Sequence, residues 1–267
     1  MYRLLIVTKE PQVEEMFASM EGWEAMGYKP PRLRNTVNGA QECMQERHID
    51  AIAVDKDPEF APLEAYLDER YPLMPIFEIA DNAEEQWGIL REVYQVLNQL
   101  HADDSDDEYD EEYRLKLIQE RWMKRLLSGM APTRTHILSH HRMLRCTDRM
   151  EGPFLCARLS IAPGDHFITE RWHYGSERLE VALRNFFGGE HDHMKLHVAV
   201  ISPQEVRVMV SARPGKREKA ELTAQGALEY IEETTQQIEH YLGLSMTLID
   251  IKTLASLTAF AAEEHQL

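Results

Sequence analysis

No stretch of this chain approaches the ~20 consecutive apolar residues that a membrane-spanning helix requires. Its first residues, MYRLLIVTKEP, lack the layout of a signal peptide and read directly as a strand. Cysteine is scarce. Cys43, Cys146 and Cys156 are odd in number and fall at no metal-ligand spacing, so they predict reduced thiols in a cytoplasmic protein. Basic charge is also short: 29 Lys and Arg face 46 Asp and Glu, a net of −17. So acidic a chain repels a phosphate backbone, which argues against a nucleic-acid surface. A glycine-rich phosphate loop, Gly-x-Ser-x-Gly and His-Glu-x-x-His are all missing, so the common nucleotide and hydrolase motifs are excluded.

What is present suits a globular chain of two domains: 267 residues, of which 43% are hydrophobic, can bury two cores. Residues 3–7 (RLLIV) and Ala51–Val54 (AIAV) are short continuous apolar runs, the pattern of strands buried on both faces of a parallel sheet. A weaker strand is expected at Arg32–Asn35 and a fourth at Pro75–Ile79. Between them lie helical spacings. Val13, Met16, Phe17 and Met20 follow Pro11, a helix opens at Asn38-Gly39, Leu63 and Leu67 mark a third, and Glu84–Leu100 a fourth. Four strand–helix alternations predict a doubly wound α/β domain over residues 1–100.

Residues 101–150 read as an acidic linker and helical connector. Eight of the ten residues from Asp103 to Glu112 are acidic; a solvated connector and an acidic decoy for a basic partner are the two readings. A helix follows over Glu111–Leu127 and another over His136–Arg145. Leu115, Leu117, Ile118, Trp122 and Leu126 form an apolar stripe that either packs on the chain's own domains or pairs with a second copy. From residue 151 to 267 the order changes to strand Phe154–Ile161, helix Ser176–Phe187, hairpin Lys195–Ile201 and Val206–Ser211, helix Glu221–Leu242 and strand Ser245–Ile251. That βαββαβ order predicts an α+β ferredoxin-like domain. The last residues look like the start of a further helix.

The segments LLIVTKEP, WEAMGY and NTVNGAQECMQERHIDAIAVD, with the fourth strand and its helix, resemble a response-regulator receiver domain through about residue 90. The resemblance is to the AraC-type response regulators of Gram-positive bacteria. It implies a phosphoacceptor aspartate at Asp55, with Mg²⁺ held by carboxylates at the strand ends. At the acidic pair this sequence has Thr8 and Lys9, leaving only Glu10, and Ala80 stands where the family has a hydroxyl residue. No Lys-Pro follows a fifth strand. The resemblance therefore implies a pseudo-receiver, with Lys9 expected to pair with Asp55 in the cation's place and with no cofactor. Mg²⁺ enters only if Asp55 is phosphorylated after all.

The segment WMKRLLSG and the βαββαβ pattern after it resemble, over about residues 113–258, a degenerate GGDEF domain. In that family the hairpin turn carries glycines that admit a nucleotide and acids that bind metal. Here the turn reads Ser202-Pro203-Gln204-Glu205-Val206, so a donor and a charge are lost and cyclase activity is not expected. Gly188-Gly189-Glu190 is misplaced for the motif, and Gly188 reads as a helix C-cap. The subgroup also carries an AraC-type helix-turn-helix region that this sequence does not contain.

His191-Asp192-His193 and His140-His141 are too few to form a ligand set alone, so no metal is expected. Trp87 and Trp172 read as packing residues. The expectation is a non-catalytic, cytoplasmic regulatory module of a transcriptional response regulator, recognising a protein partner or a second copy through the linker helix. Neither a membrane nor nucleic acid is expected as a partner. The alternatives are a nucleotide- or small-ligand receptor built on the GGDEF-like domain, and a conventional receiver phosphorylated at Asp55.

Overall fold

A computed structural model of the chain describes residues 1–102, 110–131, 133–162, 166–213 and 224–261. The chain forms two compact units, one of Met1–Gln119 with Leu138–Cys146, the other of Glu120–Ile137 with Thr147–Leu267. The segment read as a connector thus contributes to both.

The first unit holds β1 (Leu4–Val7), α1 (Pro11–Ser19), β2 (Arg32–Arg34), α2 (Val37–Glu46), β3 (Ala51–Val54), a 3₁₀ turn (Pro58–Phe60), α3 (Ala61–Arg70), β4 (Ile76–Phe77) and α4 (Ala83–Leu100). The four strands form one parallel sheet in the order β2-β1-β3-β4. Every residue of β1 and β3 is buried. Leu5, Val7, Ile52 and Val54 pack on Ala40, Cys43 and Met44 of α2 and Leu63 and Leu67 of α3. Leu4 and Ile6 alternate to the opposite face and are equally buried, so that face is covered too. The pattern is α/β.

Polar side chains cap the starts of α2 and α4. Thr36 Oγ1 accepts from Gly39 N at 3.1 Å, which opens α2 one residue before the expected Asn38. Asn82 Oδ1 accepts from Glu85 N at 2.9 Å at the head of α4. β4 has two residues where Pro75–Ile79 was expected. The reason is Gln86, fully buried on α4: its side chain takes Ala80 N at 2.8 Å and Glu78 O at 3.4 Å, backbone groups a longer strand would have paired. Trp87 packs as expected, its ring 4.7 Å from that of Trp23.

Two helices straddle the division between units: α5 (Glu111–Leu127) and α6 (Arg134–Met143). Leu115, Ile118, Trp122 and Leu126 of α5 are buried and Leu117 is half-buried. The apolar stripe is thus largely buried in the single chain. Residues 103–109 of the acidic run, 221–223 of the expected last helix and 262–267 lie outside the described residues.

The second unit contains β5 (Glu151–Ile161), a π-helical turn (Phe167–Arg171), α7 (Gly175–Phe187), β6 (Glu190–His191), β7 (Met194–Ser202), β8 (Glu205–Ala212), α8 (Ala224–Leu242) and β9 (Met246–Ser256). All strand pairings are antiparallel, in the order β6-β7-β8-β5-β9. Leaving aside the two-residue β6, this is the βαββαβ connectivity read from the sequence. Alternate residues Leu155, Ala157 and Leu159 of β5 and Val206, Val208 and Val210 of β8 form one core with Leu179, Leu183 and Phe187 of α7 and Ile231 of α8. Gly188 ends α7 at φ +66°, as a C-cap. β9 runs five residues past the expected Ile251, because β5 begins at Glu151 and offers the longer strand a ladder.

Glu180, buried within α7, joins this unit's parts. Its carboxylate accepts from the β7 backbone at Val200 N (3.0 Å), from Lys124 Nζ (2.8 Å) and from Arg184, whose guanidinium also holds Glu120. Removing it leaves an N–H and two cations without their buried acceptor. Glu180→Ala is expected to lower the unfolding free energy by about 3 kcal/mol. Glu180→Gln should cost less, since an amide oxygen still serves Val200; urea unfolding of both variants measures the difference.

Candidate functional site

In a doubly wound sheet, ligands bind where neighbouring strands send their connections to opposite faces, beyond the carboxyl ends. Here that point lies between β1 and β3. A cavity of about 590 Å³ opens there, lined by Glu10, Asp55, Lys56, Glu78, Ala80 and Asp81 among others. Thr8, Lys9 and Glu10 leave β1 and Asp55 leaves β3; the structure joins Thr8 with Asp55 and Glu10, but not Lys9.

Their bonding differs from the expected one. The buried Thr8 hydroxyl donates to Asp55 Oδ2 at 2.8 Å and accepts from Glu10 N at 3.0 Å. Lys9 does not reach Asp55. It pairs with Glu59 on the 3₁₀ turn, with its ammonium 5.8 Å from the centre of the Phe60 ring. Side chains alternate sides along an extended backbone, so once Thr8 points inward Lys9 must point away. The hydrogen bond to Glu59 raises the Lys9 pKa, outweighing a small loss of hydration. Lys56 lies 3.6 Å from Glu78. Ala80 offers its backbone N–H to Gln86 and no hydroxyl to the cavity. Among the described residues, the carboxylates of Glu10, Asp55, Glu78 and Asp81 do not bring three ligand atoms within 4.8 Å of one another.

In the second unit, Ser202 and Glu205 close the hairpin turn as a cross-strand pair, with Pro203 and Gln204 at its tip. Ser202 Oγ accepts from Gln204 N at 3.2 Å, and Gln204 O accepts from Ile161 N at 2.9 Å. Val206 is buried in the core. Glu205, the one acid of the turn, accepts from Arg207 Nε at 2.6 Å and from Arg158 Nε at 3.3 Å. Burial pushes its pKa up, but the two arginines outweigh this and hold it below the ordinary value. A carboxylate already neutralised by two guanidiniums is a poor metal ligand.

The sheet face carrying these groups also holds a cluster that sequence reading missed. Asp148 Oδ1 lies 2.9 Å from both Lys195 Nζ and His197 Nε2. Lys195 and His197 alternate with the core residues Leu196 and Val198, so their shared face was legible; Asp148, in the loop before β5, was not. Burial raises the Asp148 pKa, yet the hydrogen bond and charge of His197, and then Lys195, bring it well below the carboxylate range. Cys156, on the same face, is pushed up to about 11 by burial and is a poor nucleophile at neutral pH.

The histidine candidates are placed otherwise. The His191 ring stacks on Tyr230 at 4.1 Å, with Asp192 as its near carboxylate at 3.5 Å. Among the described residues, His191, Asp192 and His193 do not belong to any group of three ligand atoms lying within 4.8 Å of one another. His140 is buried, 3.7 Å from Glu92. Trp172 stacks on Phe167 and donates Nε1–H to Gly175 O.

No protein-family model and no curated protein matches this chain. Among the described residues, no helix is long and apolar enough to cross a membrane.

The Asp148 cluster makes stability pH-dependent. A folded pKa below the unfolded value of about 3.9 means that the contribution is complete above that pH. It is lost as pH falls toward the folded value. Asp148→Asn is expected to be less stable than wild type by about 2–4 kcal/mol at pH 7, with the gap narrowing at pH 3. Urea midpoints at the two pH values test this, and an unchanged gap would contradict it.

Proposed function

We propose that this chain is a non-catalytic signal-transduction module: a pseudo-receiver joined to a degenerate GGDEF-like domain, the regulatory portion of a response-regulator type of protein. The observation that carries the reading is the hydrogen bond from Thr8 to Asp55. A hydroxyl occupies the flank of Asp55 where a receiver has metal-binding carboxylates, and Lys9, the other replacement, is drawn off to Glu59. Mg²⁺ needs several hard oxygen ligands at short range to offset its dehydration. The parallel order β2-β1-β3-β4, with Asp55 at the switch point, supports the receiver half. The βαββαβ connectivity and the arginine-bound Glu205 support an inactive cyclase-like half.

Input through a small ligand is a second reading, favoured by a cavity of about 450 Å³ at the opposite end of the parallel sheet. Its floor includes Met44, Ile49 and Leu100, its rim Arg47 and Arg70. A ligand bound there would raise the melting temperature without any requirement for Asp55.

Titration of the chain with Mg²⁺ and beryllofluoride, followed by tryptophan fluorescence, tests the main reading. No saturable response is expected from the wild type, whereas restoring the acids in the double variant T8D/K9D should produce saturable Mg²⁺ binding. A wild-type response abolished by Asp55→Asn would overturn the reading in favour of a phosphorylated receiver.

A further inference from the structure

β9 is the edge of the antiparallel sheet. It is 11 residues long, and among the described residues it pairs with β5 alone. Thr247, Ile249, Lys252, Thr253 and Ala255 are exposed, Ile249 to 56%. An edge this long presents a row of backbone donors and acceptors to any strand of matching register. Asp250 and Lys252 both make no ion pair among the described residues, although they stand two apart and so share a face. Arg158, across from Asp250 on β5, is bound to Glu205 instead.

Antiparallel pairing of β9 with a second β9 is governed by a two-fold axis perpendicular to the sheet, so each contact occurs twice. With the axis at Ile251, Asp250 of each copy faces Lys252 of the other. The extra residue Ile249 puts Leu248 on the core face and Leu254 on the opposite one, so one-to-one facing is fixed over Asp250–Lys252. With the axis at Lys252, two ammonium groups meet instead. Opposite charges facing across a ladder stabilise it and like charges oppose it, so the charges select the first register. We propose that β9 is a homodimerisation edge, in which two copies join their five-stranded sheets through antiparallel β9–β9 pairing centred on Ile251, with reciprocal Asp250–Lys252 ion pairs.

A register shift at Ile249, where Arg158 pairs with Asp250 but Leu159 with Leu248, interrupts the ladder on one side. A bulge and an outward lysine are also devices that keep an edge strand solitary, and that rival makes the opposite prediction for the oligomeric state.

Light scattering on the purified full chain over a concentration series decides between them. The wild type is expected as a dimer. Lys252→Glu, which leaves carboxylates facing across the axis, should halve the mass while far-UV circular dichroism stays unchanged. The swapped variant D250K/K252E, in which the same pairs form with signs exchanged, should recover the dimer. Ile251→Cys tests the register, because directly opposed residues stand about 4.5–5.5 Å apart, within disulfide reach; an oxidised dimer band absent from the wild type is expected. A wild-type monomer at every concentration would overturn the proposal and make Lys252 and the bulge guards of the edge. So would a Lys252→Glu variant that stays dimeric, a folded swapped variant that stays monomeric, or a dimer in which Ile251→Cys fails to cross-link. None of these outcomes depends on the chemistry at Asp55.

Discussion

The parallel register of β1 against β3, with Val7 beside Val54, governs the first unit. Both strands are buried on both faces, so a slip of one residue would exchange their two sets of side chains between unlike helix layers. Once that register is set, the chain leaves the two strands at the same level. Thr8 and Asp55 then meet at 2.8 Å, and Lys9 is turned away. The two residues directly after β1 give the crevice its character. They are an inward hydroxyl and an outward ammonium, and each finds a carboxylate partner of its own.

The second unit manages its polar groups differently. One face of its antiparallel sheet is apolar and covered by α7 and α8, and the other gathers charge in small closed sets. Asp148 serves Lys195 and His197, Glu205 serves Arg158 and Arg207, and at the β7 edge Glu180 serves Lys124, Arg184 and a backbone N–H. A chain with a large acidic excess nevertheless keeps these carboxylates paired, because a buried acid without a partner costs several kcal/mol. Where no partner is at hand, as at Asp250 and Lys252 on the β9 edge, the charges stand at the surface.

Much of the architecture was legible because burial leaves periodic marks. Ala51–Val54 has to be a strand covered on both faces, since a four-residue apolar run suits no other position between two helical patterns. Gly188 had to end a helix. Other features left weaker marks. β4 is short because Gln86 reaches back from the next helix, and nothing in Pro75–Ile79 records that. β9 is long because β5 starts early, and Lys252 to Ser256 carry no alternation to show it. The apolar stripe of α5 was visible, but whether it faced its own chain or a copy depends on what packs there.

Local patterning thus determined the order and kind of the main strands and helices, though not the two-residue β6 or the short helical turns, and it placed Asp55 after a buried strand and Glu205 in a hairpin turn. Those properties depend on neighbours close in sequence, through side-chain periodicity and turn chemistry. The tertiary structure alone decided the partners: Glu59 for Lys9, Thr8 for Asp55, two arginines for Glu205, and a backbone N–H on β7 for Glu180, which in sequence looks like any acid on a helix surface. A charge chooses among distant partners by distance and burial, and both exist only after the sheet registers have formed.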